Sequence, residues 1–325
     1  MSESTGGRVS YVLGSTFHPS RLVEVARAVE AGGFSGVWST EDYFATGGFA
    51  GAATVLAATE RIQVGTGLVS VYARHPALLA MEAGTLAAVH PGRFALGIGA
   101  GGLGWLDQQG VEHRRPLGAV RGTVEALRAL WAGQTLSEEL GSFTFDGVHL
   151  EFAPETPPEV HLGATGPKMT ALAGEISDGL LLSVFSSPSF VRVEKEIMAA
   201  HGGAATPVTT LAFLSLAPTR EEARARIRPL LGGYLADSES AAMTDALGIT
   251  AELRALVARG GPEALVSEMP DKWVDQLCVC GDVDACVAQI QALHDAGSDE
   301  VALAPISADT LLGDIQELGS ALHAG

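Results

Sequence analysis

The chain has 325 residues, 47% of them hydrophobic, with 40 glycines and few aromatics, so it can bury a large core and does not read as disordered. A formal charge of −18 argues against nucleic acid or an anionic membrane as main partner; any anionic ligand must be held locally by helix ends and a few basic side chains. No apolar run spans a bilayer and Met1–Gly7 lacks the basic and apolar regions of a signal peptide, so a cytoplasmic protein is expected.

Taken in order, Arg8–Gly14 reads as a first strand, and Pro19 opens a helix with Leu22, Val25, Ala26 and Val29 on one face, stopped by Gly32-Gly33. Gly36–Ser39 is a second strand and a small-residue helix covers about Ala50–Thr59. Strands three (Ile62–Leu68) and four (Arg93–Gly101) both end in glycines and are joined by a helix from Pro76 to about Val89. A loop holding Trp105 and the basic run His113-Arg114-Arg115 precedes a helix from Pro116, whose apolar face carries Val120, Val124, Leu127 and Trp131. Ser142–Phe152 reads as a hairpin turning at Asp146-Gly147.

Glu159–Thr165 is strand five, followed by a helix carrying Met169, Leu172, Ala173 and Ile176. Gly179–Val184 is strand six, Ser189–Ala200 a helix, and Val208–Leu216 strand seven. Thr219 to about Gln276 reads as several helices, longer than one repeat requires, so an insertion is expected within an otherwise single domain. A helix over Asp282–Ala296, an eighth strand at Glu300–Ala304 and a helix over Ala308–Leu322 close the chain. Cys278, Cys280 and Cys286 have a C-x-C-x5-C spacing that matches no common zinc pattern, so they read as reduced thiols and no metal is expected.

Eight apolar strands alternating with helices favour a (β/α)8 TIM barrel, with the site at the strands' carboxyl ends. The loops there gather Thr16-Phe17-His18, Glu41-Asp42-Tyr43, Gly67-Leu68, Ala100-Gly101-Gly102 and Thr165–Met169. The last group starts a helix whose N–H groups could hold a phosphate, helped by Lys168. Glu41 and Asp42 either cap and pair locally or act on a ligand; His18 is an acid–base candidate or a structural residue. Arg74 either pairs with Glu41 or Glu82 or binds an anion.

TGLVSVYARHPALLA, RFALGIGAG and GATGPKMTALAGEISDGLLLS carry a resemblance to the luciferase-like superfamily. They are most similar to its branch using the deazaflavin coenzyme F420, particularly proteins like methylenetetrahydromethanopterin reductase. The resemblance covers about Val9 to Ser183 and fades in the insertion. It implies a non-proline cis peptide at Gly67-Leu68, forming a bulge behind the deazaflavin ring, with Val69 beside it. It further implies that Ala100, Gly101 and Gly102 line the ring or its tail, and that Ala164, Thr165, Gly166, Pro167, Lys168 and Met169 hold the ribityl-phosphate side.

Relatives often have histidine where this chain has Asp42, and a sugar-phosphate dehydrogenase branch has glutamate at Gly102, which argues against glucose-6-phosphate oxidation. The resemblance therefore implies an F420-dependent oxidoreductase, passing hydride between the deazaflavin and an activated C=C, C=N or pterin. Asp42, Glu41 and His18 are the proton-handling candidates. The substrate pocket is expected from the loops after strands one, two, six and seven, with Phe17, Trp105 and Phe185 as its wall. FMN-dependent monooxygenation and a catalytically silent binding protein are the alternatives, and family habit implies a homodimer.

Overall fold

The computed structural model describes residues 7–237 and 241–323; the reading of the first six residues lies outside these. Eight parallel strands form a closed ring: β1 Arg8–Leu13, β2 Gly36–Ser39, β3 Gln63–Thr66, β4 Phe94–Gly99, β5 Glu159–Ala164, β6 Gly179–Leu182, β7 Val208–Leu216 and β8 Glu300–Pro305. Each pairs with its neighbours in sequence, and β8 closes on β1 with Arg8 opposite Glu300. Their apolar side chains are buried because helices cover the outer face. Inside the ring the Trp38 indole donates to Glu300 Oε1 at 3.1 Å, and Arg8 reaches the same carboxylate at 3.4 Å.

Local signals place the covering helices. His75 accepts the Ala77 N–H before the Pro76–Val89 helix, Ser187 that of Phe190 before Pro188–Ala200, and Asp282 that of Ala285 before Val283–Asp295. Between β7 and β8 lie helices Arg220–Asp237, Ala241–Asp245, Thr250–Glu268, Asp271–Leu277 and Val283–Asp295. Val279–Gly281, absent from the sequence reading, is a short strand on the end of β7. It is too short for its pattern to register.

Two further expectations are corrected. The third strand does not run unbroken to Leu68: the Gly67–Leu68 peptide is cis, and the chain resumes pairing only at Val69–Ser70. The excursion after the Pro116–Trp131 helix turns at Gly141-Ser142, pairing Glu139–Leu140 with Phe143–Thr144, and not at Asp146-Gly147. Gly141 takes φ 60° there. A Cβ on Gly122 of the underlying helix would stand 2.6 Å from the Leu140–Gly141 backbone, so the loop is seated directly on the helix. Asp146-Gly147 instead lies within the returning arm, where Val148 exchanges backbone hydrogen bonds with Leu136.

Candidate active site

A cavity of about 1130 Å³ opens at the carboxyl end of the ring. Its wall is built from Thr40–Tyr43 after β2, Gly67, Leu68 and Ser70 at the break after β3, and Ala100–Gly102 with Trp105 after β4. Ala164–Met169 after β5, Leu181–Ser183 from β6, and Arg115–Gly118 complete most of the rest. It lies at the upper end of the ~300–1,000 Å³ usual for ligand pockets.

The cis Gly67–Leu68 peptide forms one side of the cavity, with the Leu68 side chain lying against Gly99 and Gly163. At the end of β4, Gly101 sits at φ +81° in the cavity wall, so close to Ser70 that a Cβ would stand 2.7 Å from its Cβ. Gly166, the extended N-cap of the Pro167–Ile176 helix, lines the cavity and faces open space where a Cβ would point. No side chain caps this helix, nor the Pro116–Trp131 helix whose cap, Arg115, takes the left-handed φ of 53°. Two partly positive helix starts therefore meet Lys168 and Arg115 on the β4–β5 side. Neither cation is ion-paired among the described residues.

The acidic loop after β2 is divided in role. Both Glu41 oxygens are taken by Arg74, at 2.8 and 2.6 Å, and Arg74 also reaches Glu82 at 3.3 Å. Glu41 is thus the anchor of an ion pair, and the pair pushes the Arg74 pKa up. Tyr43 donates to Glu41 Oε1 at 3.4 Å; burial first and Glu41 second push its phenol up, so it stays protonated at neutral pH. Asp42 lines the cavity, with Oδ2 accepting the Ser15 N–H at 3.0 Å.

Four expected site residues are placed elsewhere. His18 is exposed and caps the short helix Pro19–Arg21, its Nδ1 2.9 Å from Ser20 Oγ, away from the cavity wall. Phe17 is buried in the core, and Val69 packs against Gly48 behind the site. Phe185 is buried at φ +70°, its ring 5.3 Å from Tyr234 and 5.4 Å from Phe213. The loop after strand one therefore does not build the pocket, because its side chains turn inward or cap. Trp105 does line it, half-exposed and 5.8 Å from Tyr43.

Arg115, Ser70, Leu211 and Tyr234 line the cavity and escaped the sequence reading as site residues. Arg115 had one usable signal, a basic residue directly before a helix-starting proline. Tyr234 had none, since it comes from the Arg220–Asp237 helix, far from any strand end in sequence. Among the described residues, no group of three or more His, Cys, Asp or Glu is arranged to hold a metal, and no helix is long and apolar enough to cross a membrane.

The luciferase-like monooxygenase family model matches residues 2–300. A 5,10-methylenetetrahydromethanopterin reductase of Methanolobus tindarius is 28% identical over 301 residues, covering 89% of this chain and 92% of that one. The coenzyme F420 dependent tetrahydromethanopterin reductase from Methanopyrus kandleri superposes with a TM-score of 0.84 at 20% identity, over 97% and 98% of the two chains. An F420-dependent secondary alcohol dehydrogenase, solved with an F420-acetone adduct, superposes at 0.79 with 20% identity over the same shares. These two likenesses extend the fold agreement over nearly the whole chain.

Proposed function

The chain belongs to the luciferase-like monooxygenase family, and we propose on that premise that it is an oxidoreductase using coenzyme F420. The observation that carries this reading is the cavity's two-part construction: a backbone bed at Gly67–Leu68 and Gly101–Gly102, and a basic end at Arg115 and Lys168. A flat ring fits the bed, where backbone replaces side chains, and a phosphate-bearing tail fits the uncapped helix starts. Gly166, in the cavity wall, leaves open space beside that helix start. Relatives and solved structures named as F420-dependent support F420 in particular.

When bound, the deazaflavin supplies hydride chemistry. The chain's own residues bind and orient. Lys168, Arg115 and the Pro167–Ile176 helix start hold the anionic tail. Gly101, Gly102 and Leu68 would hold the ring, and Trp105 would wall the same cavity. Asp42, the carboxylate in the wall not taken by an arginine, is the proton-handling candidate; Glu41 serves by holding the loop through Arg74. Most of the rate enhancement then comes from positioning. The acceptor is a small organic molecule, an activated C=C or C=N bond or a pterin.

Two coarser features complete the reading. Leu78, Met81 and Val89 leave an exposed apolar stripe on the Pro76–Val89 helix, with Phe152 88% exposed, which supports a homodimer. The three cysteines are buried free thiols, which supports a reducing, cytoplasmic setting.

Titration of the purified protein with F420 and, separately, FMN, following tryptophan fluorescence, tests the assignment. Tight F420 and weak FMN binding is expected. The reverse order would move the assignment to a flavin monooxygenase, and no binding of either would leave a silent scaffold.

A further inference from the structure

We propose that the side of the cavity facing away from Lys168 and Arg115 selects a flat acceptor that is uncharged or cationic, stacked on Tyr234 beside Asp42. The proposal rests on the preceding reading only in calling the molecule an acceptor; the selectivity follows from the wall itself.

Ring order sets the polarity. Lys168 follows β5 and Arg115 follows β4, whereas Asp42 follows β2 and Tyr234 follows β7. In a closed ring of eight, β2 and β7 flank β8 and β1, which lie across the barrel from β4 and β5. The cavity therefore has a basic side and an opposite side that is acidic and aromatic. Glu41 adds little charge there, since Arg74 matches it. Asp42 has no cationic partner among the described residues; its side chain accepts the Ser15 N–H. An anion placed beside it meets an uncompensated carboxylate, and a cation is attracted.

The aromatic wall adds shape. Phe185, Phe213 and Tyr234 form a three-way contact with ring centroids 5.3–5.5 Å apart. Phe185 and Phe213 are buried, so they fix the Tyr234 ring; Tyr234 itself is 47% exposed and lines the cavity. A ring held this way offers a face for stacking, and that face attracts positive charge. Burial first, and then the Asp42 charge, push the Tyr234 phenol up, so it remains a neutral donor. The helix that presents Tyr234 belongs to the long segment between β7 and β8. That segment thereby supplies substrate selection.

Three probes sharing one ring test this: 1-methylnicotinamide (a pyridinium cation), nicotinamide (neutral) and nicotinate (anion). Each is titrated into the protein, with and without oxidised F420, and read by tryptophan fluorescence. The cation is expected to bind about tenfold more tightly than nicotinate, an effect of the size such contacts give. Asp42→Asn should erase most of that preference while leaving nicotinamide unchanged. Tyr234→Leu should weaken all three, and Tyr234→Phe should retain cation binding. Nicotinate binding as tightly as the cation, a preference surviving in Asp42→Asn, or no binding of any probe would overturn the proposal. The wild-type comparison decides even where a variant fails to fold. If F420 does not bind but the charge preference holds, the cofactor assignment fails and this inference stands.

Discussion

Glu194 is 1% exposed, and the Thr170 hydroxyl donates to it between two covering helices. Burial pushes its carboxyl up, and the hydroxyl only partly opposes that. A carboxyl raised in the folded state stabilises the fold most below its unfolded value of 4.5; that contribution is lost as pH rises through the raised value. Glu194→Gln keeps a hydrogen-bond acceptor without the charge. Thermal melts should therefore show the variant matching or trailing wild type near pH 4 and exceeding it at pH 8. A variant less stable at both pH values would mean that the charge is solvated or paired. Arg74 presents the opposite case, since its side chain is 25% exposed and that of its partner Glu41 only 5%. Arg74→Ala strands Glu41 and should cost about 3 kcal/mol in urea unfolding, as removal of one partner of a buried pair does. Arg74→Lys should recover only part of it, because an ammonium cannot make both contacts at once.

At the scale of elements, the seat of the 136–148 excursion on the Pro116–Trp131 helix is a matter of backbone contact. Gly122→Ala places its methyl 2.6 Å from the Leu140–Gly141 backbone, where no flexible side chain can yield. A loss of about 1–3 kcal/mol is expected, as for overpacking elsewhere. Gly313, in the Leu311–Leu322 helix, has nothing within 4 Å of where an added methyl would stand, so Gly313→Ala should gain about 0.5–1 kcal/mol from helix propensity. Equal effects at the two positions would show that the contact at Gly122 is not what holds the excursion. The same contrast explains what was legible in the chain. All eight strands were readable because an apolar run bounded by glycine or proline is a local signal. The hairpin register was not, since Gly141-Ser142 and Asp146-Gly147 are both plausible turns and packing against Gly122 selects between them. His18 sits in the right loop by chain order, but a local cap to Ser20 takes its ring out of the cavity. Tyr234 reaches the cavity only through the tertiary placement of a helix.

The whole molecule carries −18, yet one side of its cavity gathers Arg115, Lys168 and two helix starts. A multiply negative ligand approaching such a chain is repelled at long range and held at short range, and added salt screens the first effect more than the second. This separates the two charges' roles in a measurable way. Lys168→Ala and Arg115→Ala should each weaken F420 binding about tenfold, the loss of one charge-assisted contact of ~1.5 kcal/mol. If both hold the same phosphate, the double variant should depart from additivity, because residues sharing a partner couple. If they hold separate parts of the tail, the losses should add to about a hundredfold. Wild-type association should quicken as salt rises from low to moderate levels, since net repulsion is relieved before the local contacts are. A monotonic slowing would mean that the basic side dominates the field felt by the incoming ligand. Unchanged affinity in both single variants would mean that the tail lies elsewhere along the wall, with the helix starts alone insufficient to hold it.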